Sequence, residues 1–293
     1  SWGFQYSPYA YFNEHCIFLD QKHIPMIINQ QTLVNLVDIE KQLPEYFVGS
    51  NADLPIVGGS MLAHEHYQGG RHIFPMMKSK IKKEIYFEKY PEVKAGIVDW
   101  PMSDLRLISK NSLDLIDLGS KIIDFWDHYS DPARQIKAFE GNSKHHTVTP
   151  IMHREGESFI LDLVLRDNNT SDKYPLGIFH PHAELWHIKK ENIGLIEVMG
   201  RAILPGRLKG ELEEVKKYLL NQDNRIADSH LDWAKKLKAD SHITKENVDQ
   251  VLQQALVEIF DQVLECAGVF KNNKDGEIGW QKFTDALISE VDK

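Results

Sequence analysis

Residues 62–70, LAHEHYQGG, carry polar side chains at every second position. On a β-strand, His64, His66 and Gln68 would all project from one face of the sheet, because consecutive side chains of a strand point to opposite faces. The paired glycines Gly69 and Gly70 follow directly. A strand buried only for structural reasons would carry aliphatic residues at these positions. The spacing therefore predicts a strand with a polar, functional face.

The composition is that of an ordinary globular protein with few cysteines. With 293 residues the chain can bury a large core, and 42% hydrophobic and 26% charged residues are typical values. The net charge of −9 argues against nucleic acid or an anionic membrane as a partner, although a small phosphorylated substrate can bind in a local basic pocket. Cys16 and Cys266 are far apart in the sequence, which argues against a disulfide scaffold and favours a cytoplasmic location.

Short apolar runs predict strands in the first part of the chain. These runs are EHCIFLD (14–20), PMIIN (25–29), YFVGS (46–50), LPIVGG (54–59) and SFILDLVLRDN (158–168). Helical spacing of apolar residues predicts helices in 31–47 with an end at Pro44, in 105–128, and in 189–208 up to Pro205. From residue 209 onward the sequence is charged and largely helical. Together the patterns predict an α+β fold with a helical C-terminal region.

A second His-x-His pair stands in FHPHAELWHI, residues 179–188. His180 and His182 are again two apart, and Glu184 occupies the place that Gln68 has in the first pattern. The repetition suggests a duplicated α+β core in residues 1–208, with halves at about 1–130 and 131–208, followed by the helical region 209–293.

The chemistry that best uses the first pattern is transfer of a phosphoryl-linked group. A neutral imidazole attacks phosphorus when an acceptor on its other nitrogen fixes the tautomer. A neighbouring amide such as Gln68 can donate to a phosphoryl oxygen as charge develops, and glycines let backbone amides approach a phosphate. Buried core histidines or a metal-binding pair remain the alternatives on the residues alone.

Three segments resemble the class II galactose-1-phosphate uridylyltransferases, a branch of the histidine-triad superfamily. NADLPIVGGSMLAHEHYQGG (51–70) resembles the signature segment of that branch, and HPHAELWHIKKENIGLIEVMGRAILPGRL (180–208) resembles another of its blocks. HCIFLDQKHIPMIIN (15–29) is similar to the strand and turn that enter a histidine-triad fold. The resemblance implies a histidine-triad-like core, an antiparallel sheet with helices.

The resemblance also implies roles for individual residues. In the family's His-x-His-x-Gln element the second histidine is the nucleophile, so His66 takes that role and Gln68 supports the phosphoryl group. His64 becomes a positioning or metal-related residue. The resemblance implies that Asn51 and Ser60 contact the uridine or the phosphate. From the residues themselves, the further candidates for substrate binding are Gly59 and Gly69, whose backbone amides can approach a phosphate, and Arg71, which follows the glycine pair.

Metal binding is the point at which the chain departs from the class I enzymes of the family. Their cysteine zinc pair cannot be assembled from Cys16 and Cys266. Their second metal site uses a His-x-His pair and a carboxylate, which His180 and His182 with either Glu184 or Glu84 could supply here. The chemistry needs no cofactor, and a structural divalent metal, zinc or iron, is left open. Because proline separates His180 from His182, as it does in the class I nucleophile element, this pair is also a rival nucleophile.

The implied activity is transfer of UMP from UDP-glucose to galactose 1-phosphate through a covalent uridylyl-histidine, by a ping-pong mechanism. Two alternatives are a histidine-triad nucleotide hydrolase or phosphorylase, and a non-catalytic module that binds a sugar nucleotide or a metal. We also expect that an amino-terminal segment of the family is missing, and a homodimer is left open.

Two other segments, one acidic and one rich in histidine, give weaker indications of a functional site. KNNKDGEIGWQK (271–282) mimics a calcium-binding loop, but lysines occupy the first and last ligand positions, so we predict a turn between helices. In KHHTVTPIMH (144–153), His145 and His146 are adjacent and would face opposite ways on a strand. We predict that they lie at the surface or at the rim of the substrate site.

Overall fold

A nine-stranded antiparallel sheet organises the chain in this computed structural model, which describes residues 1–59 and 61–293. The strand order is β1-β2-β4-β3-β10-β11-β7-β6-β5, and a separate hairpin joins β8 and β9. The strands are β1 (Trp2–Tyr6), β2 (Cys16–Asp20), β3 (Phe47–Gly49), β4 (His66–Gly70), β5 (Ile81–Ile85), β6 (Lys94–Val98), β7 (Asp104–Ser109), β8 (Phe139–Glu140), β9 (Ser143–Lys144), β10 (His146–Glu155) and β11 (Ser158–Asp167).

The helices cover both faces of this sheet. They are α1 (Gln30–Gln42), α2 (Pro75–Lys78), α3 (Ser112–His128), α4 (Leu195–Val198), α5 (Leu208–Leu219), α6 (Asp228–Asp240), α7 (Val248–Ala267) and α8 (Lys274–Val291), with 3₁₀ turns at Pro132–Arg134 and Ala183–Leu185. Asparagine side chains cap the first turns of α1 and α3, where Asn29 and Asn111 accept bonds from backbone N–H groups. None of the helices in the described ranges is long and apolar enough to cross a membrane.

The side-chain alternation of β11 divides the interior into two layers. Phe159, Leu161, Leu163 and Leu165 pack on the face that α1, α3 and α8 cover. The residues between them point to the opposite face, where Val164 meets α4, α7 and the segment that leads into them. A smaller apolar cluster joins α5, α6 and the start of α7. We call the two faces of the sheet the α1 face and the α4 face.

Several sequence predictions are confirmed. The α+β class and the helical C-terminal region are present, and the strands predicted at 14–20, 46–50 and 158–168 correspond to β2, β3 and β11. The helix predicted in 31–47 is α1, which ends just before Pro44. The turn predicted for 271–282 is confirmed only for its first three residues, because α8 begins at Lys274.

Other local predictions are wrong. PMIIN and LPIVGG form no strand, and the latter folds into a turn held by a bridge between Ala52 and Gly58. The helix predicted to start at residue 105 starts only at Ser112, because the preceding residues belong to β7. The helix predicted for 189–208 is reduced to the four residues of α4, and Gly200 leaves the helical conformation with φ of +99°.

His146 also differs from its prediction. It is fully buried, its ring stacks on Trp126 with centroids 3.9 Å apart, and it bonds to the Asp167 carboxylate at 3.0 Å. It is a core residue rather than a surface or rim histidine. The two proposed halves of the core share one sheet, since the two long strands of residues 131–208 lie between strands of residues 1–130. The duplication itself stays a prediction.

Candidate functional site

His66 opens strand β4, which lies between β2 and β3. Its neighbour Tyr67 points to the α1 face, where its hydroxyl accepts a hydrogen bond from the Asn35 amide at 2.9 Å. Because side chains alternate along a strand, His66 and Gln68 both point to the α4 face. The sequence spacing therefore places these two residues correctly with respect to each other.

One nitrogen of His66 is fixed by the backbone. His66 Nδ1–H donates to the carbonyl oxygen of His64 at 2.9 Å. The other nitrogen, Nε2, then carries a lone pair, and the bond from Nδ1 is the one hydrogen bond that the ring forms with the described residues. The side chain is largely buried, with 6% of the residue exposed. A fixed tautomer with a free Nε2 is the arrangement that a nucleophilic imidazole requires.

The electrostatics keep this imidazole neutral. Burial lowers the pKa of His66, the bond to the His64 carbonyl opposes that shift, and the nearby His64 ring adds to it. Desolvation disfavours the charged form because the imidazolium loses hydration that the surroundings do not replace. His66 is therefore a base with a free lone pair near neutral pH.

Gln68 is oriented by a residue that the sequence analysis did not select. His15, just before β2, donates from Nε2 to the Gln68 side-chain oxygen at 3.0 Å. His15 is buried and packs on the ring of Phe12 with centroids 4.4 Å apart. With its oxygen occupied, the Gln68 amide nitrogen keeps both protons for another acceptor. A histidine at the start of an apolar strand was the only available signal.

His64 lies before the strand rather than in it, so the predicted three-residue face contains only His66 and Gln68. Its Nε2–H donates to the Asp20 carbonyl oxygen at 2.6 Å, and its ring lies against that of His23 with centroids 4.0 Å apart. Through its own carbonyl it also holds His66. The contacts of His64 thus anchor the turn that leads into the strand.

Asn51 lies two residues beyond Gly49, which pairs with Gln68, so it follows β3 towards the end of the sheet at which β4 begins. Its side-chain oxygen accepts a bond from the Leu195 backbone N–H at 2.8 Å, which attaches α4 to the sheet. Gly59 faces it, and a Cβ there would lie 2.7 Å from the Asn51 amide nitrogen. Asn51 and Gly59 are therefore in contact, and their roles towards a substrate stay predictions.

Two other predicted substrate contacts, Gly69 and Arg71, lie within the described residues. A Cβ on Gly69 would collide with the Phe47 carbonyl oxygen at 2.6 Å, which gives this glycine a packing reason on the α1 face. Arg71 is five residues beyond His66, about 16 Å away along an extended strand. Its guanidinium pairs with Glu45 at 2.9 Å. Ser60 lies outside the described residues. The roles of all three stay predictions.

The second histidine pair does not lie on a strand. His180 is buried and its Nδ1–H donates to the Pro181 carbonyl at 3.1 Å. His182 Nε2–H donates to the Ile178 carbonyl at 3.0 Å, and its Nδ1 lies 4.0 Å from a Glu184 oxygen. Within the described ranges no three or more His, Cys, Asp or Glu side chains are arranged to hold a metal ion. Metal binding by His180, His182 and Glu184 stays a prediction.

A buried arginine lies close to His180. Arg166, on the α4 face of β11, donates to the Thr149 hydroxyl at 3.1 Å and to the Ile193 carbonyl at 3.0 Å. Burial lowers its pKa to about 10. The proximity of its charge also lowers the pKa of His180, for which burial is the larger cause. The sequence analysis missed this residue because it lies in an apolar strand.

Comparison with known proteins adds independent information. A sequence profile of the galactose-1-phosphate uridyl transferase C-terminal domain matches residues 39–235. A galactose-1-phosphate uridylyltransferase of Lactobacillus helveticus is 78% identical over 99% of this chain. The proteins of that name from Pediococcus pentosaceus and Lactiplantibacillus plantarum are 59% and 58% identical, each over 98% of this chain. The chain spans 59% of the length of each of these relatives.

Among solved structures, a DUF4931 family protein from Bacillus cereus covers 55% of this chain and 78% of its own length. The sequence identity is 12% and the TM-score is 0.35. This likeness is too weak to bear on fold or function.

Proposed function

This chain belongs to the class II galactose-1-phosphate uridylyltransferase family, and on that premise we propose that it carries the nucleophilic part of a uridylyltransferase. The observation that carries the proposal is the His66 tautomer, with Nδ1–H bonded to a carbonyl and Nε2 left as the nucleophile. Since the relatives are longer than this chain, their activity and substrates are proposals here.

The proposed reaction has two displacements at one phosphorus atom. His66 Nε2 attacks the α-phosphorus of UDP-glucose, the bond from that phosphorus to the bridging oxygen breaks, and glucose 1-phosphate leaves. A phosphate oxygen of galactose 1-phosphate then attacks the same phosphorus. The N–P bond breaks, UDP-galactose leaves, and the lone pair returns to Nε2.

Gln68 and His15 support this reaction as a unit. The Gln68 amide nitrogen is free to donate to a phosphoryl oxygen as its charge increases, and His15 holds the amide oxygen. Among the residues that the structure describes, His182 has no equivalent support. There Nε2 is occupied by a backbone carbonyl, and the remaining nitrogen faces a carboxylate that would repel a phosphate. We therefore propose His66, and not His182, as the nucleophile.

Intact-mass spectrometry of the chain after mixing with UDP-glucose tests the proposal. We expect an adduct of one uridylyl group, release of about one equivalent of glucose 1-phosphate per site, and discharge of the adduct by galactose 1-phosphate as UDP-galactose. Peptide mapping should place the adduct on His66.

Two variants separate the candidates for the nucleophile. His66→Gly should abolish the adduct, and His182→Gln should retain it. An adduct on His182, or no adduct on the folded wild-type chain, contradicts the proposal. Continuous release of UMP without an acceptor would identify a hydrolase instead.

A further inference from the structure

Two histidines that make no contact described for the His66 site meet where the Ala183–Leu185 turn contacts the C-terminal helices. His187 follows that turn, and His230 lies in the first turn of α6. Their ring centroids are 5.5 Å apart and their planes are inclined by 80°. Trp233 packs against His187 with centroids 5.4 Å apart, which shields the pair on one side. The uridylyl-transfer proposal makes no use of either residue.

Each ring has one nitrogen bonded to an acceptor. His187 Nδ1–H donates to the Glu184 carbonyl at 3.0 Å, and His230 Nε2–H donates to a Glu211 carboxylate oxygen at 2.8 Å. The second nitrogen of each ring therefore carries a lone pair in the neutral form. These two atoms, His187 Nε2 and His230 Nδ1, are both buried and have no hydrogen-bond partner among the described residues.

The separation of the rings fits two imidazoles bound to one metal ion. With metal–nitrogen bonds of about 2.0–2.1 Å and a tetrahedral angle, the centres of two coordinating rings lie about 5 Å apart. The observed separation is 5.5 Å. A histidine ligand normally donates its other N–H to a carboxylate or a backbone carbonyl, and both arrangements are present here.

We propose that His187 Nε2 and His230 Nδ1 bind a divalent transition-metal ion of the zinc class. Imidazole nitrogens suit zinc, copper and nickel, whereas calcium and magnesium prefer oxygen ligands. The positive charge of Arg207 lies near this site, but its guanidinium is paired with Glu211 at 2.6 Å. A bound ion would cross-link the segment after the 3₁₀ turn to α6.

The experiment uses zinc ion alone, with binding measured by isothermal titration calorimetry on chelator-treated protein. His187→Asn keeps a donor at the Nδ1 position, and His230→Gln keeps a donor at the Nε2 position, so each variant removes mainly the proposed ligand atom. His242→Gln, an exposed histidine close to the end of α6, is the matched control. Circular dichroism and the metal-free Tm establish that each variant is folded.

The wild type and His242→Gln should bind about one equivalent of zinc and should gain thermal stability from it. Each ligand variant should bind zinc at least about tenfold more weakly, and Glu211→Gln should do so by about 10–100-fold as an outer partner. Substitution by cobalt should give the absorption of a site with nitrogen ligands.

The proposal is overturned if the wild type binds no zinc, or if both ligand variants bind it as the wild type does. The second result would assign binding to other histidines, such as His23 and His64. If His230→Gln does not fold, His187→Asn alone decides, because His187 is only half-buried and its replacement leaves the α6 bond to Glu211 in place.

Discussion

The segment that follows strand β4 is held by a buried ion pair on the α4 face. Arg106 on β7 donates to the Asp162 carboxylate of β11 through Nε at 2.6 Å and through a terminal nitrogen at 3.0 Å. The same guanidinium donates to the carbonyls of Ser79 and Met76, which belong to α2 and its end. Asp162→Asn keeps the size of the acidic side chain and removes its charge.

The cost follows from the burial of both partners. The side chains of Arg106 and Asp162 are 6% and 0% exposed, so the arginine charge has no access to water when its partner is neutral. Removing one member of such a pair costs about 3–5 kcal/mol of unfolding free energy. Burial would by itself raise the pKa of Asp162, but the Arg106 guanidinium holds it below its usual value. We therefore expect Asp162→Asn to be strongly destabilised at pH 7.

Asp104 supplies an internal check on this reasoning. Its carboxyl is buried, and its pKa is well above the ordinary value because of burial and of the Asp162 charge. In Asp162→Asn it is the nearest carboxyl that can ionise beside Arg106. The double change Asp104→Asn with Asp162→Asn should therefore be less stable than the single variant.

Urea unfolding, followed by tryptophan fluorescence at pH 7, measures both effects. Lys110→Gln is the control, because it removes one partner of an exposed ion pair with Glu157 and should cost less than about 1 kcal/mol. A loss below about 1 kcal/mol in Asp162→Asn would refute the argument, since a buried unpaired guanidinium cannot be that well tolerated.

Three further predictions concern the site and its strand. Because burial lowers the pKa of His66, the rate of adduct formation should fall to half of its maximum only below pH 6.5, and a midpoint above 6.5 in the pH–rate profile contradicts this. His15→Phe should slow adduct formation about fivefold, which corresponds to the loss of one hydrogen bond of about 1 kcal/mol to Gln68. His15→Gln should restore part of the rate. Equal rates in the wild type and both variants would exclude a positioning role for His15. Gly70→Ala should lower the free energy of unfolding by about 1–3 kcal/mol, since φ is +154° and the new Cβ would meet a carbonyl oxygen at 2.8 Å. Gly206→Ala, with open space around it and no such φ, should cost less in the same urea assay.

The periodicity of apolar residues along the chain predicted the strands and helices that present regular apolar faces to the core. The alternation in SFILDLVLRDN predicts β11 because one set of its side chains meets the α1 face and the other set meets the α4 face. The helical spacing of α1 and of the C-terminal helices was equally readable, since each presents one apolar side to the core. The spacing of His66 and Gln68 fixed their common face for the same local reason.

Periodicity failed where a segment covers the sheet without regular structure. Residues 189–208 have helical spacing, yet only the four-residue helix α4 forms within them. The apolar side chains of the whole segment pack on the α4 face, both before and after Gly200, where φ is +99°. The apolar residues of such a covering segment need only be buried, and their spacing does not have to match the repeat of a helix or a strand. LPIVGG likewise supplies apolar residues to a turn, where Val57 is buried next to the bridge of Gly58 with Ala52.

The sequence by itself determined that His66 and Gln68 share a face and that an acceptor was needed on the second nitrogen of His66. Only the tertiary structure decided which atoms form the hydrogen bonds that hold these two side chains. The carbonyl on His66 comes from His64, because the chain turns before β4, and the partner of Gln68 is His15, 53 residues earlier in the sequence. Such partners depend on which strands lie side by side. The pairing of β2 with β4 results from burial of the whole sheet, so no local pattern of residues can predict it.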